Sequence, residues 1–256
     1  MFRYIWSKEI RGELYTWKST LWLVISSGIF SFTSYLLLTN KELSLLDQTE
    51  LMWLLGKVVI GTALLIVTIE ASSMINAEFE KETAESLFLT PIPLKDVVIG
   101  KFLAVFTLWM SVLAVSVPYL IVASLGSHLG PAFVAFVALL GSLGVTGFVS
   151  LIFGISFLFR SSKNTLTTAL IVLLACSIPA LFSSALKNNA LSRITGVVNP
   201  VDNMFSSLDN VLVDYHTSVL DNWQYILPIV GFCIITSGFL LFGMRTLGKQ
   251  GIIKNV

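Results

Sequence analysis

Residues 131–159 read PAFVAFVALLGSLGVTGFVSLIFGISFLF, and no side chain in this stretch carries a charge. A helix crosses the hydrocarbon core of a bilayer with about 20 apolar residues, because each residue advances it by about 1.5 Å. Backbone N–H and C=O groups inside hydrocarbon must be paired within the segment, which a helix achieves and a lone strand does not. The stretch therefore predicts a membrane-spanning helix.

The composition of the whole chain agrees with this prediction. The 256 residues are 55% hydrophobic and 12% charged, whereas soluble domains have about 45–50% and about 25%. We expect an all-α polytopic membrane protein with six spans, at residues 20–38, 51–75, 97–124, 131–159, 165–186 and 222–244. The net charge of +1 argues against a nucleic-acid partner, since no face is basic enough to neutralise a run of phosphates.

The basic residues predict the orientation of the chain. Twelve of the sixteen Lys and Arg side chains fall on one side of the six predicted spans. That side is expected to face the cytoplasm, because cytoplasmic loops carry the excess of Lys and Arg. The predicted protein is a multi-pass protein of the plasma membrane with both termini in the cytoplasm.

The first nineteen residues have a helical apolar stripe, formed by Phe2, Trp6, Ile10, Leu14 and Trp17. Most of the basic residues in this segment lie elsewhere around the helix. A stripe of this kind opposite a basic face predicts an interfacial amphipathic helix over residues 1–19, lying among the lipid headgroups before the first span. The alternative is a cytoplasmic helix that packs on a partner protein.

A second amphipathic segment follows the second span, within residues 76–101, NAEFEKETAESLFLTPIPLKDVVIGK. At about 100° per residue, three carboxylates share one helix face: Glu78, Glu82 and Glu85. The other side carries Phe79, Ala84, Leu87 and Phe88. Pro91 and Pro93 are expected to end the helix, since neither supplies an N–H. On spacing alone, a solvated loop helix whose acids keep it soluble explains the pattern equally well.

Residues 82–101 resemble the first cytoplasmic loop of permease subunits of type-2 ATP-binding cassette exporters. Those loops typically read Gly-Thr-Leu-Glu, then leucines, Thr-Pro, and Gly-Lys at the next span. The matching positions are Thr83, Glu85, Leu87, Thr90, Pro91, Gly100 and Lys101, while Glu82 stands where the family usually has Gly. The layout is also similar: an amphipathic N-terminal helix, six spans, a tight turn after the fourth, and an outer segment with an Asn-Pro pair before short re-entrant helices, here residues 187–221.

The resemblance implies a single permease domain over residues 1–256 that forms the pathway of an ATP-driven exporter. It also implies that residues 78–90 are a coupling helix seated on a separate nucleotide-binding ATPase subunit, which binds the ATP and Mg²⁺. The implied coupling residues are Glu78, Phe79, Glu82, Thr83, Glu85, Leu87, Phe88 and Pro91. The other implied partners are membrane lipid and a second copy of the permease, or a related permease.

The chain is not expected to be an enzyme or to hold a cofactor. A phosphate-binding loop needs Gly-Lys followed by Ser or Thr, but the Gly-Lys pairs at 56–57, 100–101 and 248–249 precede Val, Phe and Gln. An intramembrane enzyme is disfavoured because both histidines, His128 and His216, fall in predicted outer loops. A remaining alternative is a membrane anchor or sensor that recruits an ATPase without transporting anything.

Two features within the spans carry further expectations. Glu70 lies in the cytoplasmic third of the second span, where an acid should face protein or water; it is either a functional group or a partner for Lys101 or the N-terminal helix. Small residues line the fourth span and indicate either close helix packing or a flexible gate: Gly141, Gly144, Gly147, Ser150 and Gly154. The scarcity of ionisable groups in the spans favours a hydrophobic or amphipathic substrate.

Overall fold

The computed structural model describes Gly12 and residues 16–39, 48–80, 94–125, 127, 129–181, 198–212 and 222–249. These residues form helices and no strand. The helices are α1 (Trp17–Thr39), α2 (Gln48–Met74), α3 (Asn76–Glu80), α4 (Leu94–Ser124), α5 (Gly130–Phe159), α6 (Ser162–Leu181), α7 (Pro200–Leu212) and α8 (Trp223–Lys249).

Six of these helices, α1, α2, α4, α5, α6 and α8, are long and apolar enough to cross a membrane. The all-α class and the six predicted spans are therefore confirmed. The first spanning helix begins at Trp17, before the predicted start at residue 20. Of the interfacial helix predicted over residues 1–19, the structure describes Gly12 and residues 16–19, and residues 17–19 belong to α1. The rest of this helix stays a prediction.

Helix α2 runs opposite to α1, α4 and α6, as three side-chain contacts demonstrate. Lys18 at the start of α1 contacts Glu70 near the end of α2, and Gln48 at the start of α2 contacts the Ala123 carbonyl at the end of α4. Asn76, just beyond α2, contacts Thr165 in the first turn of α6. The bundle therefore has one end with the starts of α1, α4 and α6, and an opposite end with the start of α2.

Helix α5 occupies the centre of the bundle and packs against α2, α4, α6, α7 and α8. Four of its five glycines each lie against a large side chain of a neighbouring helix. Trp109 of α4 lies against Gly141, Met204 of α7 against Gly144, and two phenylalanines of α8, Phe232 and Phe239, against Gly147 and Gly154. Because a Cβ at Gly147 would lie 2.6 Å from the Phe232 ring, the structure supports the packing interpretation of these small residues.

Helix α7 begins at an Asn-Pro pair whose chemistry suits a helix start. The Asn199 side-chain oxygen accepts hydrogen bonds from the backbone N–H groups of Val201 (3.0 Å) and Asp202 (3.3 Å). Pro200 occupies the first helical position, where its missing N–H has no partner to lose. The Asn199 amide nitrogen also donates to the Cys176 carbonyl at 2.7 Å, which ties the start of α7 to α6.

Although α7 is too short to cross a bilayer, with 13 residues and a length of about 20 Å, it packs deep inside the bundle. Met204 is fully buried and lies against Gly144, midway along α5. The Trp53 indole N–H donates to the Phe205 carbonyl at 3.3 Å. The Lys57 ammonium of α2 lies 5.2 Å from the Phe205 ring centroid of α7, within the range of a cation–π contact. These contacts fix α7 against α2 and α5.

The chain turns sharply between α5 and α6. Arg160 adopts the left-handed conformation, with φ of 51°, which is uncommon for a residue with a side chain. Its N–H donates to the Ser156 carbonyl at 2.9 Å and so ends α5. Helix α6 begins two residues later at Ser162, which places its N-terminus next to α3.

Candidate functional site

The candidate site lies where α2 ends and the short helix α3 begins. We call it the α3 junction and define it by six residues: Asn76, Glu78, Glu80, Lys101, Ser162 and Thr165. Helix α2 ends at Met74, one residue forms a turn, and α3 covers Asn76–Glu80. Residues 81–93, the remainder of the predicted coupling loop, lie outside the described residues.

Asn76 joins α3 to α6. Its side chain is fully buried, and its amide nitrogen donates to the Ser72 carbonyl at 3.0 Å and to the Thr165 hydroxyl at 2.8 Å. Thr165 is also fully buried. Hydrogen bonds in such dry surroundings are expensive to break, because a buried group left without a partner costs about 1–3 kcal/mol. The bond therefore holds the first turns of α3 and α6 together.

Lys101 joins α4 to the end of α2 and to α3. Its side chain is only 6% exposed, and the ammonium donates to the Met74 carbonyl at 3.0 Å and to a Glu78 carboxylate oxygen at 3.2 Å. The carbonyls at the C-terminus of a helix carry partial negative charge, so a cation is favourable at this position. Lys101 thus satisfies a terminal carbonyl of α2 and a carboxylate of α3 together.

Glu80 contacts the N-terminus of α6. Its carboxylate accepts a hydrogen bond from the Ser162 backbone N–H at 2.6 Å and a second from the Ser162 hydroxyl at 3.0 Å. The first N–H groups of a helix lack partners within the helix and carry partial positive charge, so a carboxylate stabilises them. Through Glu80, the last residue of α3 is bonded to the start of a spanning helix.

Glu70 forms a second polar contact near the same end of the bundle. The residue is 3% exposed, and one carboxylate oxygen lies 2.8 Å from the Lys18 ammonium. The other oxygen accepts the Trp22 indole N–H. The sequence suggested Lys101 or the N-terminal helix as the partner of Glu70. The structure pairs Glu70 with Lys18, which belongs to the N-terminal segment, whereas Lys101 bonds to Met74 and Glu78. Glu70 therefore fixes the start of α1 against α2.

The structure describes few of the predicted coupling residues. Glu78 is bonded to Lys101, and the backbone of Phe79 lies in α3. The other predicted positions lie outside the described residues: Glu82, Thr83, Glu85, Leu87, Phe88 and Pro91.

Sequence reasoning missed Asn76, Glu80, Ser162 and Thr165 as members of one cluster. The only signal in the sequence was the position of Asn76, Ser162 and Thr165 at the borders of apolar runs. Polar residues at such borders are equally typical of helix ends that face water. Their pairing depends on contacts between residues far apart in the chain.

The profile of a protein family described as "ABC-2 family transporter protein" matches residues 8–246, which is nearly the whole chain. The chain therefore belongs to this family, and its six apolar helices are those of a transmembrane subunit of an ABC transporter. Subunits of this family generally lack an ATP-binding motif and work with an ATP-binding subunit. No curated protein matches the chain.

Proposed function

We propose that this chain is the permease subunit of an ATP-driven exporter for a hydrophobic or amphipathic substrate. Two permease chains enclose the pathway, and two separate nucleotide-binding subunits hydrolyse ATP. Residues 78–90 form the coupling helix, which sits in a groove of the ATPase subunit. The observation that carries the proposal is the α3 junction, because it bonds the start of this segment to three spanning helices.

The α3 junction gives a route by which a movement of the coupling helix reaches the membrane. A pull on α3 acts on α2 through the continuous chain, on α4 through Lys101, and on α6 through Asn76 and Glu80. Two of these contacts are buried, so separating the helices would leave a cation or an amide without its partner. The end of α2 and the starts of α4 and α6 therefore move together when the ATPase subunit closes.

The proposed orientation places the α3 junction at the cytoplasmic surface, with both termini inside. The supporting observation is the excess of Lys and Arg at this end of the spans. Helix α7 then enters the bundle from the outer side as a re-entrant helix. Its buried position is consistent with this role, because non-spanning segments at membrane depth must be covered by protein.

The substrate class rests on the chemistry of the spans. Buried polar side chains within the described spanning helices are mostly hydroxyl groups, such as Ser116, Ser150 and Thr236. A pathway lined by such groups and by apolar side chains suits a lipid-like molecule, a drug or a modified peptide better than an inorganic ion.

The proposal is tested by two substitutions in the coupling helix. Glu85→Lys puts a cation against the basic groups expected on the ATPase subunit, and like-charge contacts can cost several kcal/mol. Leu87→Asp puts a charge into the expected apolar groove, where an unpaired charge is costly. Both variants should reach the membrane in normal amounts, co-purify with less ATPase subunit and lose export.

The matched control is Glu42→Lys, the same charge reversal in the segment that connects α1 to α2. It should retain both the ATPase subunit and export. Wild-type co-purification and export in Glu85→Lys and Leu87→Asp would contradict the coupling role. If the wild-type complex retains the ATPase subunit but transports no cell-derived amphiphile, the anchor or sensor alternative is favoured.

A further inference from the structure

A pocket of about 620 Å³ lies between α1, α2 and α4, at the end of the bundle opposite the α3 junction. Its walls are mainly aliphatic and include Leu37 of α1, Leu51 and Leu55 of α2, and Pro118 and Val122 of α4. Pockets that hold small molecules typically measure about 300–1,000 Å³ and are largely apolar. The size and the lining of this pocket fall within that class.

Polar contacts at the edges of the pocket hold its three walls in place. The Tyr119 hydroxyl lies 3.2 Å from the Ser27 hydroxyl, which links α4 to α1. Gln48 donates from its side chain to the Ala123 carbonyl at 3.3 Å and to the Leu125 carbonyl, which links α2 to α4. Pro118 lies within α4 at the pocket and supplies no N–H to the preceding turn of the helix. The cavity is therefore formed by the fold itself.

The pocket opens onto a surface that faces hydrocarbon. Val122 and Leu125, which line it, are 57% and 66% exposed, and the neighbouring Tyr35 of α1 is 62% exposed. These side chains belong to the outer turns of membrane-length helices, or directly follow them, where the surrounding solvent is lipid rather than water. Three polar side chains line the pocket, those of Ser34, Gln48 and Tyr119, and water fits beside them. The aliphatic remainder is a poor place for water, because each ordered water needs two to four polar partners. The adjoining lipid tails need no polar partners.

We propose that this pocket binds one acyl chain of a membrane phospholipid, with the headgroup at the level of Gln48. The acyl chain enters sideways from the bilayer, between the exposed turns of α1 and α4. It lies against Leu51, Leu55 and Pro118. Its methylene groups fill a cavity that the side chains of this protein leave open, which restores the contacts that an empty cavity loses. This inference does not depend on the transport proposal.

The test is photolabelling of the full chain in vesicles. The chain is reconstituted in phosphatidylethanolamine and phosphatidylglycerol containing a trace of phosphatidylcholine with a diazirine in one acyl chain. After illumination, adducts are located by peptide mass spectrometry. We expect them to concentrate on residues 51–55 and 118–122, well above the level on Ile234 and Ile235, which are exposed on α8.

Two variants close the pocket in different ways, and a third serves as the control. Ala123→Phe places a ring inside the cavity, and Val122→Trp covers its mouth from an exposed position. Each should lose the labelling of residues 51–55 while the labelling of α8 persists. Ala175→Phe, the same substitution on an exposed turn of α6, should leave the pocket adducts unchanged.

Three outcomes would overturn the inference. One is labelling of residues 51–55 no stronger than the labelling of α8. Such labelling would show only nonspecific contact with bulk lipid. Another is undiminished labelling of residues 51–55 in both pocket variants. The third is the absence of adducts together with disulfide crosslinking of Val122→Cys between two chains, which would assign this surface to a second copy. Export at the wild-type rate in the pocket variants would not contradict the lipid site, which is tested by labelling alone. The two proposals can therefore fail separately.

Discussion

The two ends of the helix bundle are built from different chemistry. At the α3 junction, charged and amide side chains bond α2, α4 and α6 to one another, and Asn76 and Lys101 are almost completely buried there. At the opposite end, α1, α2 and α4 are joined by neutral hydrogen bonds around an apolar pocket of about 620 Å³. The first arrangement resists separation of the helices, whereas the second leaves room for a hydrophobic molecule. We therefore propose force transmission for the first end and lipid binding for the second.

Lys101→Met should have the largest effect on this contrast. The substitution retains an apolar stem of similar length but removes the cation, which leaves the Met74 carbonyl and Glu78 without this donor. Hydrogen bonds to charged groups are worth about 1.5–3 kcal/mol, and we expect a loss of about 2 kcal/mol in the free energy of unfolding. Thermal unfolding of the detergent-purified chain measures it. Lys95→Met, on an exposed turn of α4, is the control and should leave the stability close to that of the wild type.

Asn76→Ala should have an intermediate effect. It removes a neutral donor and leaves the buried Thr165 hydroxyl without that partner, which corresponds to about 1–2 kcal/mol. Asn164→Ala, one position before Thr165 on the exposed side of α6, provides the comparison in the same unfolding measurement. Equal stabilities for the two variants would mean that the bond between α3 and α6 contributes nothing.

Glu80→Gln should have a smaller effect that depends on salt. The amide retains an acceptor for the Ser162 N–H but loses the charge that interacts favourably with the N-terminus of α6. Since Glu80 is exposed, added salt screens its charge in the wild type. The difference in melting temperature between wild type and variant should therefore shrink as the salt concentration rises. A difference that is independent of salt would show that the charge is not responsible.

Ala123→Phe should have the smallest effect on stability. Adding a large side chain to a well-packed core typically costs about 1–3 kcal/mol, but here the ring enters an open pocket. The melting temperature should stay within a degree or two of the wild type. A large loss of stability would mean that the walls close around Ala123 and that the apolar end is packed as tightly as the junction end.

The helices could be predicted from the sequence because each apolar run is a local signal. The run at residues 131–159 appears in the structure as α5, Gly130–Phe159. The bonds of the α3 junction could not be predicted in this way. Asn76 and Thr165 are 89 residues apart, and their pairing follows from the sharp turn at Arg160 and from the packing of α2 against α6.

The pocket also depends on tertiary structure, because no single helix contains its shape. Leu55 and Pro118 look like ordinary residues of apolar spans, and only the relative positions of α1, α2 and α4 leave space between them. The family resemblance, in contrast, came from residues 82–101, which precede α4 or form its first turns. A short motif can therefore indicate membership of a family while the bonds that connect it to the spans remain hidden.

The central claim is that the α3 junction transmits the movement of the ATPase subunit to the spanning helices. The most direct test is the distance between spin labels at Lys163→Cys in two permease chains of the membrane complex, with Cys176 and Cys233 replaced by Ala, measured with and without ATP. We predict that ATP changes this distance in the otherwise unaltered chain, and that Lys101→Met combined with Asn76→Ala abolishes the change while the ATPase subunit stays bound. The same ATP-dependent change in both proteins would contradict the account.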